Sequence, residues 1–282
     1  MVYLSFFLSI FATSMEEVIE VVSTFLRRLI FLWLFILKRP NNYNVMGEYL
    51  INLDTEIFLW FNSRNNLFWD IAMKMATGKL IWIGLYLSLI YAMYKAYGWK
   101  TTLVMAVMSG LAVTAADQMT ASVLRPIFER LRPANLNNPI SHLVHIVDGY
   151  RSGGFSFPSC HAANTFALAT LTSLLFRRWR FTVAIVFWAI VNCYSRIYLG
   201  VHYPGDLLAG TVIGCLCGGI FYVVGRLIIS YWSGCTVPGA TDRKRVASFN
   251  GKKFYYRPVD VVTFIEAMTM IYILVCAASI FV

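Results

Sequence analysis

Residues 207–232 form an apolar run broken by a single charge, Arg226. A helix needs roughly 20 such residues to cross a bilayer, and five further runs approach that length, at residues 80–94, 101–116, 162–176, 181–194 and 261–282. Lipid offers no water to peptide groups, so each run predicts a helix that satisfies its own backbone. Of the 282 residues, 59% are hydrophobic and 13% charged, whereas soluble domains carry roughly 25% charge. A soluble globule could not bury that apolar surface, and a mean hydropathy of +0.63 excludes a disordered, fibrous or simple cytosolic chain. The predicted fold is all-α, a polytopic bundle of about six transmembrane helices.

The net charge of +10 would suit a nucleic-acid binder only as a patch on a soluble fold. Instead the basic residues follow the connections between spans. Loop 95–100 holds Lys95 and Lys100, and loop 177–180 holds Arg177, Arg178 and Arg180. Segment 226–258 holds Arg226, Arg243, Lys244, Arg245, Lys252, Lys253 and Arg257. Counted along six spans, these connections share one side, and their Lys and Arg excess predicts it to be cytoplasmic. Loops 117–161 and 195–206 then face outward. Cys193, Cys215, Cys217 and Cys276 lie in apolar runs, where thiols act as small hydrophobes. With no C-x-x-C pair, neither a disulfide framework nor a zinc site is expected.

The first 45 residues fit this scheme less simply. Residues 3–12 and 29–37 are apolar but short, and Arg27 and Arg28 follow the first run rather than precede it, which is a poor signal peptide. One added anchor over residues 22–37 is the preferred reading; translation from Met46 is the alternative. Residues 50–61 read as an amphipathic helix lying in the interface. Three regions result: an N-terminal extension 1–45, a membrane domain 46–232, and a basic loop with a closing span over 233–282.

The outward loops carry three polar clusters. Arg125-x6-Arg132-Pro133 comes first, then Pro158-Ser159-Cys160-His161, then Ser195-Arg196-x5-His202-x3-Asp206. Charged side chains at a membrane boundary are costly unless paired or solvated, so their recurrence on one face points to function. Three arginines and two histidines with one carboxylate suit an anion, above all phosphate. His202 and Asp206 are four apart and would share a helix face. The carboxylate could then orient the ring and leave the other nitrogen free as a nucleophile.

Together these clusters resemble the tripartite signature of the type 2 phosphatidic acid phosphatase (PAP2) superfamily, K-x6-R-P, P-S-G-H and S-R-x5-H-x3-D, over roughly residues 50–230. Two positions depart from it: Arg125 stands for the usual Lys, and Cys160 for the usual Gly. The resemblance implies a bacterial inner-membrane lipid phosphatase, multi-pass, with its active site facing the periplasm and no metal or other cofactor. It implies that His202 attacks phosphorus to form a phosphohistidine and that Asp206 orients it. His161 protonates the leaving oxygen and then activates water. Arg125, Arg132, Arg196 and Ser159 hold the phosphate oxygens, and Cys160 contributes through its backbone N–H. The expected partners are a phosphorylated lipid and the bilayer, with neither nucleic acid nor an obligatory protein partner. Implied substrates include undecaprenyl diphosphate, the phosphates of lipid A, and phosphatidate or phosphatidylglycerol phosphate. A catalytically inactive member serving as a lipid-binding or scaffolding protein is the competing reading, resting on Arg125 and Cys160. A vanadate-dependent haloperoxidase shares the anion site, but such relatives are soluble.

Other polar residues receive ordinary readings. His142 and His145 lack a third ligand for zinc. Arg130 and Arg151 read as interface anchors or headgroup contacts. Asn164 either lines the site or makes a structural contact. Gly210, Gly214, Gly218 and Gly219 are expected to let helices approach closely.

Overall fold

The computed structural model describes residues 43–233, 245–249 and 252–279. The expected anchor at residues 22–37 and the question of the start site lie outside them. The chain divides into two compact units, residues 1–55 and 56–282. Helix α1 (Tyr43–Asn62) begins in the first and ends in the second. In the first unit Tyr49, Leu50 and Ile51 are exposed; in the second, Phe58 and Asn62 are buried.

Helix α2 (Leu67–Ala76) starts at Asn66, whose side chain accepts from the Trp69 N–H at 2.9 Å. Asp70 in its first turn and Lys74 in its last complement the helix dipole. Next come α3 (Ile83–Tyr97), α4 (Trp99–Gln118), α5 (Arg125–Phe128), α6 (Cys160–Phe176), α7 (Trp179–Tyr198), α8 (Pro204–Ser233) and α9 (Pro258–Ala278). Five segments are long and apolar enough to cross a membrane: Leu80–Tyr97, Trp99–Phe128, Trp179–Tyr198, Pro204–Trp232 and Pro258–Ala278. The sixth expected span is α6, apolar but only 17 residues long. It is the central helix, packed on α4, α7 and above all α8. One departure from an all-helical fold is a hairpin of β1 (Arg245–Phe249) and β2 (Lys252–Tyr256), antiparallel with Arg245 opposite Tyr256, inside the expected basic loop.

Small residues determine the α6–α8 contact. A Cβ on Gly210 would lie 2.4 Å from the Ser159 carbonyl oxygen, on Gly214 2.3 Å from that of Ala163, and on Gly218 2.4 Å from that of Ala167. Three glycines spaced by four thus form one stripe against the α6 backbone. Gly219 is a correction: one residue off that stripe, it faces open space. Lys95, Lys100, Arg177, Arg178 and Arg180 lie at the α3–α4 and α6–α7 connections, at the opposite end of α6 from Ser159. The bundle interior is closed by Trp82 and Trp188, both buried and edge-to-face at 5.9 Å, while Leu87, Val183 and Leu208 on the outer faces are exposed, as lipid-facing residues are.

Candidate active site

The chemistry-bearing residues meet where α4 and α7 end and α6 and α8 begin. Pro126 has no N–H to continue the α-helical ladder. The helix widens before it into a π-helical turn, Met119–Leu124, closed by the Arg125 N–H on the Thr120 carbonyl. Such turns recur at functional sites. Here it precedes Arg125, whose Nε donates to the Pro158 carbonyl at 3.1 Å. Ser159 is buried and serves as N-cap of α6, accepting from Ala162 N–H at 3.5 Å and donating its own N–H to the Asp206 carbonyl at 3.0 Å. The Ser159 cap engages the Ala162 N–H, and the N–H groups of Cys160 and His161 lie before it in the first turn, where a helix presents positive potential.

His202 and Asp206 form the pair expected of them. The ring Nδ1 lies 3.3 Å from Asp206 Oδ2, which also accepts the Tyr203 N–H at 2.9 Å. On the other side, Arg132 Nη1 lies 3.1 Å from His202 Nε2. The tautomer satisfying both contacts carries its proton on Nδ1 and offers Nε2 as acceptor. Burial pushes the His202 imidazole down to about 4, with Arg132 and Arg196 adding to the effect and Asp206 opposing it, so the ring is neutral at neutral pH. Arg132 is anchored by its Nε on the Gly153 carbonyl (3.0 Å) and by Nη1 on the Val201 carbonyl (3.0 Å). Its guanidinium is pushed down to about 10, chiefly by burial and then by Arg125 and Arg196, and it keeps its charge at neutral pH.

Arg196 donates to Thr77 Oγ1 at 2.7 Å and hydrogen-bonds Tyr150, while its Nε is buried with no hydrogen-bond partner among the described residues. A buried guanidinium N–H left over in this way is suited to an anion. His161 lies in the field of Arg196, His202, Lys79 and Arg132. The structure thus brings Arg125, Arg132, Ser159, Cys160, His161, Arg196, His202 and Asp206 to one end of the bundle. Among the described residues, no three His, Cys, Asp or Glu side chains gather to hold a metal ion.

Several partners were not foreseen. Arg130, expected at the lipid interface, instead forms an ion pair with Asp206 Oδ1 at 2.9 Å and stacks its Cζ 3.8 Å from the Tyr203 ring centroid. The reason is electrostatic: Asp206 is wholly buried, and a buried carboxylate needs a cation. Arg151, also expected as an anchor, donates to the Ala134 carbonyl. Thr77, Lys79 and Tyr150 carry no motif; only their fold positions place them here. On Tyr150 burial opposes ionisation, but the Ser152 hydrogen bond and the charge of Arg196 outweigh it and lower the phenol. Asn164 donates to Asp117 Oδ1 at 3.0 Å, the structural contact of its two readings. His145 pairs with Asp70 at 2.9 Å, which accounts for it structurally.

Residues 102–229 match the PAP2 superfamily. A lipid A 4'-phosphatase of Bacteroides thetaiotaomicron is 48% identical over 195 residues, 69% of this chain and 87% of that protein. A lipid A 4'-phosphatase of Porphyromonas gingivalis is 29% identical over 223 residues, 78% and 92% of the two chains. This chain belongs to the PAP2 superfamily. As a PAP2 protein it is a membrane lipid phosphatase, and the inactive scaffold reading gives way. The crystal structure of Aquifex aeolicus LpxE is 25% identical, with a TM-score of 0.47, over 60% of this chain and 94% of that one.

Within this PAP2 site two substitutions separate roles. Arg130→Ala leaves Asp206 without its cation. Because the arginine side chain is 23% exposed, water screens part of the loss, and kcat is expected to fall roughly tenfold to a hundredfold. A headgroup anchor would instead raise KM with kcat intact. Cys160 Sγ accepts from Thr120 Oγ1 at 3.0 Å, so its thiol is engaged with the π-helical turn. Cys160→Ser and Cys160→Gly are expected to retain kcat within about tenfold. Near-complete loss in both folded variants would assign the thiol a chemical part.

Proposed function

We propose that this protein removes the 4'-phosphate from lipid A on the periplasmic face of a bacterial inner membrane, through a phosphohistidine on His202. The observation that carries the substrate is the match to two lipid A 4'-phosphatases over nearly their whole lengths. By contrast, the undecaprenyl-diphosphatase of Bacillus subtilis aligns over 42% of its length. The orientation is supported by the basic connections at the opposite ends of the helices.

The chemistry follows from the hydrogen bonds. A phosphate entering the site draws the Arg132 guanidinium onto its oxygens, and that movement frees the Nε2 lone pair of His202. Arg125, Arg196 and the N–H groups at the α6 start take up charge that spreads over the equatorial oxygens. His202 Nε2 attacks phosphorus while the bond to the lipid oxygen breaks, and Asp206 stabilises the imidazolium as it forms. The dianion beside His161 favours a protonated ring, which gives its proton to the leaving oxygen. Water then attacks the phosphohistidine, His161 takes the water proton, and the P–N bond breaks to release phosphate and restore His202.

The test supplies purified protein, in detergent with a chelator, with lipid A bearing one phosphate at either the 4' or the 1 position. Preference for the 4' phosphate by at least about tenfold in kcat/KM is expected. Preference for the 1 phosphate, or turnover of undecaprenyl diphosphate alone, would overturn the assignment. An activated aryl phosphate separates the histidines, since His161→Ala should lose less on a leaving group that needs no proton.

A further inference from the structure

Between α3, α4, α6 and α7 lies an apolar cavity of about 530 Å3 that the chemistry described above does not use. It begins close to the active site, because Asn164 and Thr165 in its wall follow His161 within about one turn of α6. Ile90 on α3 and Gly110 and Thr114 on α4 also line it and are exposed. All three lie within spans, so the cavity opens sideways into lipid. Trp188 of α7, almost wholly buried, forms part of its inner wall.

A cavity walled only by hydrocarbon would say little about its occupant, but this one holds polar atoms without partners. The hydroxyls of Ser109, Thr114 and Thr165 each donate to a carbonyl four residues back in their own helix. Asn164 is different. Its Nδ2 donates to Asp117 Oδ1 at 3.0 Å, and a carboxylate only accepts, so that contact fixes which way the amide is turned. Oδ1 is left buried with no hydrogen-bond partner among the described residues, and so is the indole N–H of Trp188. An unpaired buried polar atom costs free energy, and lipid offers it no water. An occupant of pure hydrocarbon would leave both atoms unpaired.

Position identifies the occupant. A lipid whose phosphate rests at the start of α6 carries its acyl chains toward the bilayer, and Asn164 lies four residues beyond Cys160, a rise of about 6 Å. An acyl chain esterified to the carbon next to the one bearing the phosphate passes this depth within its first few carbons. A hydroxyl on the third carbon of that chain meets Asn164, while the remaining methylenes fill the apolar cavity. We propose that Asn164 selects the substrate by this hydroxyl: the cavity takes the hydroxyacyl chain beside the scissile phosphate, and Asn164 Oδ1 accepts from its hydroxyl. The proposal rests on the lipid phosphatase reading above and adds to it the chemistry of the chain.

The experiment uses two synthetic glucosamine lipids in detergent, each with a 4-phosphate beside an ester-linked tetradecanoyl chain, one chain 3-hydroxylated and the other plain. Wild-type protein is expected to favour the hydroxylated lipid by about tenfold in kcat/KM, chiefly through KM. Asn164→Leu, of similar size but without the acceptor, should bring that ratio close to one. The ratio is read within a single protein, so any loss from freeing Asp117 falls on both lipids alike. If this variant does not fold, Asn164→Ser, whose hydroxyl still has a proton for Asp117, is read for the same loss of preference. Gly110→Leu tests the cavity separately. A Cβ at Gly110 meets nothing, so the variant should fold, and its side chain should obstruct the cavity. It should lower kcat/KM about tenfold for the hydroxylated lipid and leave turnover of an aryl phosphate, which has no chain, unchanged. Equal turnover of the two lipids by wild type, or a preference that survives in the folded Asn164 variant, overturns the proposal and leaves the phosphatase reading standing. Turnover of undecaprenyl diphosphate with neither glucosamine lipid accepted overturns both.

Discussion

His202→Ala is expected to lower kcat by at least about a thousandfold with the fold intact, because without the nucleophile no covalent intermediate forms. The variant keeps Arg125, Arg132, Arg196 and the α6 start, so substrate should still bind and KM should change little. Asp206→Asn should lie between this variant and wild type, since the amide fills the same space but cannot stabilise the imidazolium. The wild-type pH profile of kcat/KM, which reports the free enzyme, tests the same ring. A nucleophile must be unprotonated, and the His202 imidazole is held down to about 4. Its active fraction is therefore complete at neutral pH and is lost only as pH falls through about 4, rather than through the ordinary histidine range near 6.5. Measuring kcat in detergent for the three proteins, and kcat/KM against pH for wild type, decides the matter. A His202→Ala enzyme within tenfold of wild type would remove His202 from the reaction.

The second large effect lies outside the polar site. A Cβ added at Gly214 meets the Ala163 carbonyl oxygen at 2.3 Å and the Ala167 nitrogen at 3.0 Å. Both are backbone atoms of α6, so no rotamer change relieves the contact and the helices must part. Gly214→Ala is expected to cost about 3 kcal/mol of stability. It should also lower kcat roughly a hundredfold, because displacing His161 on α6 from His202 and Asp206 by about 1 Å is enough for that loss. Gly219→Ala, one helix face away in open space, is the control and should be within about 0.5 kcal/mol of wild type. Equal melting temperatures and rates for the two variants would contradict the packing account.

Most of the fold was legible because lipid imposes a simple rule. Each apolar run had to be a helix, and five spans with the shorter α6 occupy the six expected runs. The hairpin at Arg245–Tyr256 was not legible: it lies in a charge-rich loop whose basic residues speak for topology rather than for pairing. Of the site, what the three motifs contain could be read, down to the His202–Asp206 pair at a spacing of four. What they omit could not. Arg130 lies in the unspecified stretch between Arg125 and Arg132, and its role appears only once Asp206 is seen to be buried. Thr77 and Tyr150 meet Arg196 across long stretches of chain, and no local spacing announces such contacts. Of the four glycines singled out, the period of four separates Gly210, Gly214 and Gly218 from Gly219. That distinction needed the partner helix.

A covalent mechanism places phosphorus on His202 during turnover. Wild-type protein mixed with radiolabelled lipid phosphate and quenched within one turnover should carry label that is stable to alkali and labile to acid, as a phosphoramidate is. Peptide mass spectrometry should place it on His202, with none in His202→Ala and more in His161→Ala, where hydrolysis of the intermediate slows. Label on any other residue, or a full burst of free phosphate with no labelled peptide, would contradict a phosphohistidine at His202.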